Sequence, residues 1–149
     1  MTILIPIILI IALDQISKII VRSSMSPGDA VSVIGNFFRI TYFRNEGAAF
    51  SSLVGYRGLL IGFASLATIA AFVFLVMYKG KSKLLDWALI LIISGGIGNL
   101  IDRIALGYVT DMISLSIFPP IFNIADVAIT CGCALMIIFV VIGKSEVLE

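Results

Sequence analysis

Four apolar stretches, each near the ~20 residues that a helix needs to cross hydrocarbon, dominate the chain. They run from Ile3 to Val21, Gly58 to Tyr78, Trp87 to about Leu106, and Ile121 to Ile142. The second carries no charge. The first is interrupted by Asp14, Gln15, Ser17 and Lys18. The third carries Asn99, Asp102 and Arg103 near its end, and the fourth carries Asn123 and Asp126 near its start. Four spans predict a bundle with both chain ends on one side of a membrane. The first stretch lacks a preceding basic segment and has charges inside it, so it reads as a retained span rather than a cleaved leader.

The connectors differ in character. Arg22 to Arg57 is long and mixed. Within it, Phe38-Arg39-Ile40-Thr41-Tyr42-Phe43-Arg44 is β-branched and aromatic with partial alternation, which predicts strand. Ser26-Pro27-Gly28-Asp29 and Asn45-Glu46-Gly47 predict turns. Lys79-Gly80-Lys81-Ser82-Lys83 is a short basic loop, and Gly107 to Pro120 reads as a short loop ending in Pro119-Pro120. Lys79, Lys81, Lys83 and Lys144 fall on one side, and Arg22, Arg39, Arg44 and Arg57 on the other. The count is tied, but the compact lysines flank span ends, which places their side in the cytoplasm. The expected fold class is a membrane all-α bundle of four transmembrane helices with a small extracytoplasmic β-rich segment, about 22–57. The expectation is a single integral membrane domain, 1–149.

Composition agrees with this reading and removes alternatives. Hydrophobic residues are 60% and charged residues 13%, against roughly 45–50% and ~25% in soluble proteins. A soluble domain and a disordered chain are both excluded. Lys plus Arg is 10 and Asp plus Glu is 9. With no basic stripe, nucleic acid is not an expected partner. There is no His, which removes the commonest general base and most zinc sites. Cys131 and Cys133 lie in an apolar run and read as small buried residues.

Charged groups at membrane depth cost roughly 2.5–3.5 kcal/mol on insertion scales and therefore face the bundle interior in pairs. Asp14 and Lys18 are four apart and share a helix face. Asn99, Asp102 and Arg103 fall at i, i+3 and i+4, and Asn123 and Asp126 are three apart. These groups lie at the outer ends of spans, so one membrane surface should hold a polar cluster. Asp14–Lys18 reads first as a structural pair and Asp102–Arg103 as a structural ion pair or a pKa-tuning partner. Gly95, Gly96 and Gly98 read as sites of close helix packing.

Asp111 and Asp126 are different. Neither has a cation within a helical turn. Two carboxylates held close together cannot both ionise readily, so one becomes an acid and the other a base. That suits activating a water and protonating a leaving amine, with no metal and no cofactor. A proton-coupled transporter is the alternative.

The blocks Asp14-Gln15-Ile16-Ser17-Lys18, Asn45-Glu46-Gly47-Ala48-Ala49-Phe50 and Gly95-Gly96-Ile97-Gly98-Asn99-Leu100-Ile101-Asp102-Arg103 occur in that order. Gly107-Tyr108-Val109-Thr110-Asp111 and Phe122-Asn123-Ile124-Ala125-Asp126 follow. Together they resemble the motifs of lipoprotein signal peptidase (signal peptidase II), the bacterial membrane aspartic protease family. The resemblance covers nearly the whole chain.

It implies cleavage of the signal peptide from prolipoproteins, just before a cysteine carrying a diacylglyceryl group, with Asp111 and Asp126 as the catalytic dyad. Asn99, Arg103 and Asn123 would be the dyad's polar neighbours, and Asn45 would reach the site from an extracytoplasmic β-cradle. Asp14 and Lys18 would support it. Asp102 matches a motif position, but its neighbour Arg103 makes it the poorer base. The resemblance also implies the bacterial cytoplasmic (inner) membrane, cytoplasmic termini and a site near the outer surface. The expected partners are the lipid-modified prolipoprotein and membrane lipid, and the chain is expected to be a monomer. The stretch between Asp111 and Phe122 is short against the family pattern, which would narrow the site or alter substrate contacts. A four-span transporter using Asp126 and Asp14, or a structural subunit, would be the other readings. A polar cluster at one surface rather than the midplane counts against transport.

Overall fold

A computed structural model describes residues 3–47 and 55–147 of the chain, with side chains as far as Val141. The Ala48-Ala49-Phe50 part of one motif lies outside the described residues. The element order is α1 (Leu4–Ser24), β1 (Ala30–Ile34), β2 (Phe38–Asn45), α2 (Arg57–Tyr78), α3 (Lys83–Ala105), β3 (Val109–Leu115), β4 (Phe118–Phe122) and α4 (Ile124–Val147). All four helices are long and apolar enough to cross a membrane, with mean hydropathy of 1.9 to 2.6.

The helices alternate in direction, and α3 is the central one. Half of its apolar window is buried against protein, against 6–22% for the other three. Glycines allow this closeness. A Cβ on Gly98 would stand 2.6 Å from Asp14 Oδ2 on α1. A Cβ on Gly96 would strike the Thr68 hydroxyl on α2, and one on Gly95 the Ala125 carbonyl on α4. On α4, a Cβ on Gly132 would come 2.7 Å from the Ala88 carbonyl of α3. The half of the bundle near the α2–α3 turn is filled by Ile7, Leu75, Leu85, Leu89, Ile90 and Ile93.

The opposite end carries a four-stranded antiparallel sheet in the order β1-β2-β3-β4. Tyr42 and Met112 pack beneath it against Val21 of α1. Two expectations change here. Half of the sheet comes from the 107–122 connector, which reads as a loop in sequence. Pro119 and Pro120 argue against strand, yet β4 lies at the sheet edge, where a missing N–H is tolerated. The first residues of the fourth apolar stretch, Ile121 and Phe122, accordingly belong to β4, and α4 starts at Ile124.

The sheet end is knitted together by a buried charge cluster. Lys18 Nζ is 2.9 Å from Asp14 Oδ2 and 3.4 Å from Asp102 Oδ2. Arg22 Nη1 is 3.5 Å from Asp102 Oδ1 and donates to Thr110 Oγ1 at 3.0 Å. The Asp14–Lys18 pair is thus as expected, whereas Asp102 pairs with Lys18 and Arg22 of α1 rather than with Arg103. Consecutive helical residues point about 100° apart and do not face each other. Two cations balance two carboxylates, which limits the cost of burying them.

Both carboxylates also bind backbone. Asp14 Oδ1 accepts from Ala125 N at the start of α4 (2.9 Å), and Asp102 Oδ2 accepts from Thr110 N of β3 (2.9 Å). An anion at a helix N-terminus is favourable. Gln15 Nε2 donates to the Gly98 carbonyl at 3.0 Å. One cluster therefore fixes α1, α3, β3 and α4 relative to one another.

Two substitutions test this packing by thermal unfolding in detergent. Gly98→Ala should destabilise by about 1–3 kcal/mol through overpacking. Lys18→Met, which strands the buried Asp14 carboxylate and leaves Asp102 only Arg22, should cost about 3–5 kcal/mol. Unchanged unfolding midpoints in both would contradict the arrangement.

Candidate active site

Asp111 and Asp126, both outside the charge cluster, meet at one cavity. Asp126 stands in the first turn of α4. Asn123, just before that helix, accepts from Asp126 N through Oδ1 at 2.9 Å, and Asp126 Oδ2 accepts from Asn123 N at 3.1 Å. This is a reciprocal capping box, so the helix start itself fixes the Asp126 rotamer. Asp111 stands on β3. The register sets Phe43 opposite Asp111 and Asn45 opposite Val109. Asn45 is then a diagonal neighbour of Asp111 on the same sheet face.

Three asparagine amides hold the pair. Asp111 Oδ2 accepts from Asn45 Nδ2 (2.9 Å) and Asp111 Oδ1 from Asn123 Nδ2 (2.7 Å). Asp126 Oδ1 accepts from Asn99 Nδ2 (2.8 Å). The amide orientations follow from what faces each oxygen. Asn45 Oδ1 accepts from Gly47 N, Asn123 Oδ1 from Asp126 N, and Asn99 Oδ1 from Lys18 Nζ at 3.1 Å and Asn123 Nδ2 at 3.2 Å. Each amide oxygen is thus occupied by a donor, and each NH₂ is turned toward a carboxylate. Lys18 links the charge cluster to the site through Asn99.

Asp111 is 1% exposed, and burial pushes its carboxyl up to about 6. Amide donation from Asn45 and Asn123 and the Lys18 charge pull it back, while the Asp126 charge adds to the rise. Among the described residues, neither Asp111 nor Asp126 forms an ion pair. Nor do three His, Cys, Asp or Glu side chains converge as metal ligands.

The cavity holds about 600 Å³. Asn45, Asn99, Arg103, Asp111 and Asp126 form its polar end. Phe118, Pro120 and Phe122 of β4 and Val127, Thr130 and Cys131 of α4 form its apolar part. Arg103 Nη2 donates to the Gly47 carbonyl at 3.2 Å. This polar end can hold a peptide group and a water between an acid and a base.

The structure therefore brings Asn45, Asn99, Arg103, Asn123, Asp111 and Asp126 together, and places Asp14, Lys18 and Asp102 in the supporting cluster behind them. Sequence reading gives no part to Gln15, Arg22 and Thr110, although Gln15 and Thr110 lie at variable positions inside the quoted motifs. It also reads Cys131 and Cys133 as buried. Both are exposed on the surface of the bundle, because a uniformly apolar helix carries no polar face to tell its outside from its inside.

Comparisons with known proteins show the family and the fold. The family described as Signal peptidase (SPase) II matches residues 6–142. A lipoprotein signal peptidase of Streptococcus thermophilus is 41% identical over 143 residues, 95% of this chain and 92% of that protein. One from Moorella thermoacetica is 38% identical over 132 residues, 87% of this chain and 85% of that protein. A solved bacterial membrane enzyme, determined by the in meso method at 2.3 Å resolution, superposes with a TM-score of 0.92 at 34% identity. It covers 97% of this chain and 90% of its own. Four membrane-crossing helices, a four-stranded sheet at one end and these relatives along almost the full length lead to one conclusion: the chain belongs to the signal peptidase II family and is a multi-pass membrane protease.

Proposed function

We propose that the chain removes signal peptides from bacterial prolipoproteins, cutting just before a cysteine that carries a diacylglyceryl group, with Asp111 and Asp126 as an aspartic dyad. One observation carries this reading. Asp111 and Asp126, which form no ion pair among the described residues, come from different elements, line one cavity and are each held by amide donors. Asp14 and Asp102, by contrast, are occupied by cations and backbone N–H groups.

In this mechanism one proton is shared by the pair. The ionised carboxylate takes a proton from the attacking water as its oxygen bonds to the scissile carbonyl carbon. The protonated carboxyl donates to the developing oxyanion. Collapse of the tetrahedral intermediate breaks the C–N bond, with a proton passing to the leaving amine. Asn45, Asn99 and Asn123 fix both carboxylates before substrate arrives, and Arg103 holds the substrate backbone. The apolar part of the cavity lies beside lipid and admits the acyl tails. The sheet sits at the outer face of the cytoplasmic membrane, both chain ends lie in the cytoplasm, and the protein acts as a monomer with lipid around it. Among the described residues the far end of the bundle is filled by an apolar core, which disfavours the transporter reading.

Asp111→Asn and Asp126→Asn should each lower cleavage of a lipidated precursor by at least about 10²–10⁴-fold. Each places an NH₂ against a donor, at about 1–3 kcal/mol of stability. Turnover near the wild-type rate from a folded variant would sink the assignment.

The pH–rate profile should be a bell belonging to the pair. Its acid limb reflects loss of the base. Its alkaline limb reflects loss of the shared proton and should lie at or above about pH 6, since Asp111 is raised to about 6 and the second ionisation works against the first charge. Stability follows the same sign. A carboxyl raised in the folded state binds its proton more tightly there, so stability should rise as pH falls from about 6 toward the ordinary carboxylate range. Asp111→Asn should remove that gain. A monotonic rate profile and a pH-independent stability difference would contradict the shared proton.

A further inference from the structure

Arg57 lies in none of the recognised motifs, yet it grips the turn that separates Arg103 from Asp111. It is the first residue of α2. Its Nε donates to the Arg103 carbonyl and its Nη2 to the Ile104 carbonyl, each at 3.0 Å. The last carbonyls of a helix have no partner within it. At the end of α3, Leu106 N takes the Asp102 carbonyl at 2.8 Å and Gly107 N takes that of Arg103 at 3.2 Å. Arg103 O is also reached by Leu106 N, so Arg57 adds a side-chain donor to a carbonyl already capped by backbone and supplies one to Ile104 O.

Gly107 completes the turn. Its φ of +88° suits glycine. A Cβ there would also lie 3.2 Å from Arg57 Nη1, so the guanidinium lies against the bare Cα face. The chain then passes through Tyr108 into β3 and Asp111. The side chain of Arg103 meanwhile reaches the Gly47 carbonyl and the cavity. Arg57 thus fixes the backbone of the residue whose side chain faces the site, and the entry to the strand that carries Asp111.

We propose that Arg57 is a positioning residue for this protease: its two-carbonyl clamp aims Arg103 into the cavity. The proposal rests on the reading of Arg103 as a substrate-holding group. A planar guanidinium bridges two carbonyls, whereas a lysine ammonium acts as a point charge. The lysine variant should therefore restore only part of the effect.

The test is a double-mutant cycle on a lipidated precursor, with Arg57→Gln measured alone and in an Arg103→Lys background. Alone, Arg57→Gln should raise KM about tenfold with kcat within about twofold, the signature of lost binding in ground and transition states alike. With Arg103→Lys already present, the same change should add less than about twofold, because residues acting through one another are not additive. Arg57→Lys should fall between wild type and Arg57→Gln. A wild-type KM in Arg57→Gln, or equal effects in both backgrounds, would overturn the proposal. So would a fall in kcat alone accompanied by lower thermal stability, since that marks a loss of folded enzyme. If wild type leaves the lipidated precursor uncut, the proposed function fails instead. The clamp is then read from amide hydrogen exchange at Leu106 and Gly107, which Arg57→Gln must accelerate.

Discussion

Lys18 is fully buried between Asp14 and Asp102, and the working end of the protein is built outward from it. An ammonium at this depth is tolerable only with partners. Its partners come from α1 itself and from α3, and their carboxylates also hold the first turn of α4 and the start of β3. The cluster binds α1 to three elements far from it in sequence. It also neutralises its own charge, with Arg22 as the second cation, so that it leaves no surplus field.

From that centre, order passes to the carboxylates through amides. Lys18 occupies the oxygen of Asn99, which turns the Asn99 NH₂ toward Asp126. Asn123 serves the α4 cap, Asn99 and Asp111 at once. Asparagines are suited to this task because they donate without adding charge. The pair they hold is anionic and balanced by no ion pair of its own. That is a poor choice for stability, and the proposed chemistry gives the physical reason for it.

Much of this is legible in the chain. Four helices follow from hydropathy, since a bilayer enforces length and apolarity. The Asp14–Lys18 pair follows from i, i+4 spacing, and suspicion of Asp111 and Asp126 from their lack of a local cation. What fails does so for stated reasons. Spacing speaks only within one element, so it pairs Asp102 with its neighbour Arg103 instead of with Lys18 across the bundle. Pro119 and Pro120 conceal β4 because edge strands escape the rule that bars proline from sheets. Arg57 is invisible because its partners are backbone carbonyls, which every residue has.

The site's central claim is that one proton is shared by Asp111 and Asp126. The most direct measurement is an infrared titration of the protonated-carboxyl band in bilayer-reconstituted protein, comparing wild type with each Asp→Asn variant. The account predicts a protonated carboxyl persisting above the ordinary carboxylate range in wild type and altered by either substitution. Two carboxyls that each titrate in the ordinary range, with neither changed by removal of the other, would contradict it.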